Sequence, residues 1–144
     1  MLEVINVQIL TLATKEGLPD DRAKPMIRFE LTDGRDFFMV NIPYDIARNI
    51  ALFLSDQPTP DSRLQVHDLI GELALVERVE IDLFVPNSDV YQATIQVLPE
   101  GFERAIRYSM VPSHATLLAV VNDAPIFVAD ELIKQSIDRS KENF

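Results

Sequence analysis

PSHATLLAVVNDAPIFVADEL, residues 112–132, reads as a helix, a turn, a short strand and the start of another helix. Proline suits a first helical position, where its missing N–H is not needed, and Asn122-Asp123 follows the last turn. Ala115, Leu117, Leu118, Ala119, Val120 and Val121 leave this segment apolar nearly all round, so the pattern predicts a buried helix over 112–121. After Pro125 the run Ile126-Phe127-Val128 reads as a strand, and Asp130-Glu131-Leu132 as the acidic start of a helix over 130–138. Ser113 and His114, in the first turn, are the side chains of this stretch suited to chemistry.

The same order occurs upstream. DGRDFFMVNIPYDIARNIALFL (33–54) and EGFERAIRYSMVPSHATLLAVV (100–121) both run acidic-Gly turn, strand, Pro and apolar helix with an early Ala. Each copy follows a strand and a turn, so the chain divides into two related β-rich units, each closed by a helix. Two copies are too few for a solenoid. The expectation is a single α+β domain over 1–144 with six or seven strands in largely antiparallel sheet.

The remaining elements fill that frame. Alternation over 2–13 predicts a strand, and 15–25 a loop. Asp33-Gly34 between 26–31 and 37–42 predicts a hairpin. A helix starts at Pro43, with Asp45 in its first turn and Ile46, Ile50, Phe53 and Leu54 on one face. Gln57–Ser62, with two prolines, ends it. Val66, Leu69, Ile70 and Leu73 predict an amphipathic helix over 63–75 with that stripe inward. Strands follow at 77–85, 90–98 and 102–108, separated by turns at 86–89 and 99–101, and the polar tail from Ser136 frays.

Composition narrows the function classes. The chain has 144 residues, 47% of them hydrophobic, which suffices for a core without staples. Cysteine is absent, which excludes disulfides and thiolate metal sites and permits a cytoplasmic setting. The N-terminal apolar residues alternate and have no basic region before them, so they read as strand and not as a signal peptide. No apolar run approaches the roughly 20 residues of a membrane span, so the expectation is a soluble protein with no membrane partner. Thirteen basic against 23 acidic residues give a net charge of −10, with no basic cluster, which argues against generic nucleic-acid binding through the phosphate backbone.

Three segments together resemble the bifunctional nuclease domain family: VNIPYDIARNIALFL (40–54), RLQVHDLIGELA (63–74) and PSHATLLAVVNDAPIFVADEL (112–132). They cover most of the chain, with the intervening strands, in the family's order. The resemblance implies a nuclease that hydrolyses phosphodiesters of RNA or DNA with a divalent metal such as Mg²⁺ or Mn²⁺, without an organic cofactor, assembled as a homodimer or larger homo-oligomer. Arg63, His67 and Asp68 keep the family's middle motif, and Pro112 and Ser113 part of the closing one. Elsewhere the chain departs: Val111 stands for an Arg, His114 for an Asp, Pro43 for a Gly and Ile46 for a Glu. The alternative expectation is therefore a non-catalytic oligomeric binding or regulatory module that keeps the fold.

The candidate site residues are Arg63, His67, Asp68, Ser113 and His114. Arg63 and His67, one helical turn apart, suit phosphate binding and proton transfer. The plainer alternative is a solvated helix flank. Ser113 and His114 lie where helical N–H groups attract anions; the plainer alternatives are a capping serine and a hydrogen-bonded boundary histidine. A metal held by His67, His114 and either Asp68 or Asp45 is chemically feasible, although no HxxxH or HxH spacing fixes it.

Overall fold

Strand alternation and two acidic-Gly turns lay down most of the sheet. The computed structural model describes residues 1–11, 24–56, 65–86 and 90–135. The first unit is a meander of β1 (Leu2–Thr11), β2 (Pro25–Leu31) and β3 (Asp36–Met39), followed by helix α1 (Tyr44–Leu54). After α2 (Val66–Leu73), the second unit repeats it as β4 (Ala74–Val85), β5 (Val90–Pro99) and β6 (Ile106–Met110), followed by α3 (Pro112–Val121). Strand β7 (Ile126–Val128) comes next, and residues 130–135 are helical. This is an α+β fold with two related β-rich units.

All pairings within the units are antiparallel, with Val7 opposite Phe29, Phe29 opposite Phe37, Val79 opposite Ile95 and Ile95 opposite Tyr108. The seven strands run in the order β3-β2-β1-β7-β4-β5-β6. The units therefore meet across β7, which pairs antiparallel with Leu2–Glu3 of β1 and parallel with Val79–Ile81 of β4. That is the one parallel ladder among the described residues. The sheet curls strongly. Phe37, on the β3 edge, meets Tyr91 of β5 edge-on at 5.3 Å, and Phe29 and Phe84 extend the aromatic row on either side.

One hydrophobic cluster fills the concave side, joining Ile27, Phe29 and Leu31 of the first unit to Val79, Ile81 and Ile95 of the second. Helix α3 lies inside it: Ala115, Thr116 and Ala119 are fully buried, as an all-round apolar pattern requires. Thr116 satisfies its hydroxyl by donating to the Pro112 carbonyl at 2.7 Å. The opposite face of the sheet is polar. There Glu80 is held between Arg78 and Arg107, and Arg78 stacks 4.0 Å over Phe127.

Several expected boundaries shift for local reasons. The strand expected over 37–42 stops at Met39, because Asn41 takes a left-handed φ of 61°. The strand expected over 102–108 begins at Ile106, because Phe102 N–H bonds back to Pro99 O and prolongs the turn. The helix expected over 63–75 gives way at Ala74 to an extended residue paired with Pro99. Phe53 and Leu54, expected to face inward, are exposed; α1 packs through Ile46, Ala47 and Ile50. The loop expected over 15–25, the segment 57–62 and the tail from 136 fall largely or wholly outside the described residues.

Helix α2 is the largest correction. Its stripe of Val66, Leu69 and Leu73 faces solvent, at 75, 43 and 59% exposure, and none of its residues is buried. The helix rests on the flank formed by His67, Ile70 and Gly71, rotated by about 100° from the expected face. Gly71 makes this seat feasible: a Cβ there would lie 2.5 Å from Asn122 Oδ1, whose side chain caps α3 through the Leu118 carbonyl.

Candidate functional site

Three helices begin around one cleft of about 570 Å³. Asp45 comes from the first turn of α1, His67 from the first turn of α2 and His114 from the first turn of α3. Asn49, one turn after Asp45, and Gln65, just before α2, add amide groups, and Ile46, Ile70 and Leu118 line its apolar part. Neither α1 nor α3 has a side-chain cap at its N-terminus, so their first-turn N–H groups retain donor capacity. The positive ends of three helix dipoles therefore surround this space.

The sequence-predicted site residues divide. His67 and His114 share the cleft, the former with its side chain 11% exposed and the latter open to solvent. Asp68 is a helix-capping residue: its Oδ2 accepts the Gln65 N–H at 3.1 Å, completing a capping box. Its Oδ1 lies 3.7 Å from His67 Nε2, close enough to bias the ring's orientation. Ser113 is buried and lines a separate pocket of about 250 Å³ with Asn41, Tyr91 and Val111. It does not cap α3, whose N-cap is Val111. Arg63 lies outside the described residues.

Asn49 and Gln65 join the site without standing out in the sequence. The signal for Asn49 is its i, i+4 spacing from Asp45, which puts both on one flank of α1. The signal for Gln65 is the Gln-x-x-Asp spacing of the capping box, an uncommon variant of the usual Ser/Thr form.

Among the described residues, no group of three or more His, Asp or Glu stands in position to hold a metal ion. Asp45, His67 and His114 border the cleft without forming such a cage. What they can do directly is proton transfer by two imidazoles, together with hydrogen bonding by a carboxylate and two amides. No Lys or Arg of the described residues lines the cleft, so attraction for an anion falls to the helix termini and the imidazoles. Among the described residues, no helix is long and apolar enough to cross a membrane. No protein-family model matches the chain, and no curated protein matches it.

Proposed function

We propose that the cleft between α1, α2 and α3 binds a phosphodiester of RNA or DNA and hydrolyses it by imidazole acid–base chemistry. The observation that carries this is the convergence of three helix N-termini, each contributing a polar first-turn side chain, on one cleft. The N-terminal dipoles favour the phosphate, offsetting the acidic character of the chain. His67, oriented by Asp68, removes a proton from the attacking water as the new P–O bond forms. His114, at the open side, gives a proton to the departing oxygen as the old P–O bond breaks. Asp45 accepts a hydrogen bond from the attacking group. Assembly as a homodimer or larger homo-oligomer in the cytoplasm belongs to the same proposal.

The test uses end-labelled single-stranded RNA and DNA with purified protein, in Mg²⁺, in Mn²⁺ and in chelator. His67→Ala and His114→Ala are each expected to lower cleavage by about 10²-fold or more, the usual weight of a general acid or base. Cleavage unchanged in both variants contradicts the assignment.

A second reading is a non-catalytic binding or regulatory module. It is favoured by Asp68, whose carboxylate is engaged in the α2 capping box, and by Ser113, which faces a different pocket. Wild-type protein that retains labelled nucleic acid but degrades none of it, with or without metal, supports this reading over the first.

A further inference from the structure

The outward stripe of α2 is part of a larger apolar surface. Leu73 is shared between that stripe and a neighbouring depression of about 550 Å³, which also contains Leu75 and Phe102. Leu75 and Phe102 are more than half exposed, like Val66 and Leu73. The Glu100 N–H bond to Leu73 O at 3.1 Å fixes the β5–β6 turn against the end of α2, so stripe and depression form one surface. Scattered apolar side chains are ordinary on a surface, but five large ones joined on a helix face and an adjoining hollow mark an interaction site.

Its charge says what fits. Glu72 flanks the stripe, and Glu72 and Glu100 line the hollow. Neither α2 nor the residues lining the hollow include a Lys or Arg, and Arg104, near in sequence, is not among them. The whole chain carries −10. A second copy meeting this surface through its own equivalent would set acidic rim against acidic rim, which opposes association.

We propose that this surface docks a basic amphipathic helix of another protein, with apolar residues at i, i+3, i+4 and i+7 set on Val66, Leu69, Leu73 and Phe102. Lys and Arg on the flanks of that helix pair with Glu72 and Glu100. This is recognition of a helix in a groove, with the apolar strip supplying affinity and the acidic rim supplying selectivity.

The probe is a labelled 18-residue peptide of Leu and Lys in that helical pattern, compared with its Leu/Glu counterpart by fluorescence anisotropy. The Leu/Lys peptide is expected to bind and to weaken as salt rises, and the Leu/Glu peptide to bind at least about tenfold more weakly. Leu73→Lys should weaken binding of the Leu/Lys peptide by about tenfold or more. Leu54→Lys, the same charge change at an exposed leucine of α1 outside the surface, should leave it nearly unchanged. Far-ultraviolet circular dichroism checks that both variants are folded. Equal weakening by the two variants means diffuse charge attraction and overturns the proposal, as does equal binding of the two peptides. Self-association of the wild type in sedimentation equilibrium, abolished by Leu73→Lys, would assign the surface to a second copy and also overturn it.

Discussion

Helices α2 and α3 both carry apolar residues at helical spacing and both begin at the same cleft, yet they are used in opposite ways. Helix α3 closes the second β-unit and lies inside the curl of the sheet, with Ala115, Leu117, Leu118 and Ala119 in the core. Helix α2 connects the two units and lies outside, resting on α3 through Ile70 and the close contact of Gly71 with Asn122. A helix that is part of a repeated unit has a place reserved against the sheet. A connecting helix packs wherever its smallest and least obstructed flank fits, and its apolar stripe is then left outward.

Substitution of matched leucines should separate the two helices most widely. Leu118→Ala in α3 removes a buried side chain and is expected to cost about 2–5 kcal/mol. Leu69→Ala in α2 should change stability by no more than about 0.5 kcal/mol, because the side chain is already substantially hydrated. Urea unfolding of both variants measures the contrast. Comparable losses would place α2 in the core and break the comparison.

The seat of α2 gives a smaller and more local effect. In an unobstructed helix, Gly→Ala is worth about 0.5–1 kcal/mol of added stability. At Gly71 the new methyl group meets Asn122 Oδ1 and displaces the side chain that donates to Leu118 O at 2.8 Å. Gly71→Ala should therefore lose about 1 kcal/mol, the usual net worth of such a hydrogen bond, in place of that gain. Asn122→Ala in the same background should recover part of the loss, a coupling readable in a double-mutant cycle.

The smallest effect lies outside both helices, at the β2–β3 turn. The Arg35 backbone N–H, and then its guanidinium, hold the Asp33 carboxyl below its ordinary value of 3.8. A carboxylate lowered in the folded state contributes stability that is complete above its unfolded pKa and lost as pH falls through the folded one. Stability measured from pH 5 downward should fall slightly less steeply in Asp33→Asn than in the wild type. The difference in slope should vanish above about pH 5, where the unfolded carboxylate is also ionised and the contribution of Asp33 is constant.

The same contrast explains what was legible in the sequence. Helix α3 and its boundaries could be read because an all-round apolar segment has one stable placement, and Pro112 and Asn122 mark its ends. The two-unit order could be read because Asp33-Gly34 and Glu100-Gly101 sit at equivalent turns, each glycine with a positive φ. The position of β7 could not: three residues carry no register, and its partners in β1 and β4 are remote in the chain. The stripe of α2 showed amphipathicity but not which side the body would occupy, since that depended on Gly71 meeting a residue 51 positions later. At the site, residue type groups His67 and His114 as candidates with either Asp68 or Asp45. The engagement of Asp68 is masked in the sequence because its partner is a glutamine N-cap, not the usual Ser or Thr.

The proposed chemistry requires His67 and His114, from different helices, to face one ligand. Histidine-selective NMR during titration with a short oligoribonucleotide tests it most directly, because the chain contains two histidines and two signals suffice. Both imidazole signals are predicted to shift along one binding curve, with His67→Ala weakening the binding that the His114 signal reports. Signals that move independently, or His67→Ala leaving the His114 curve unchanged, would contradict it.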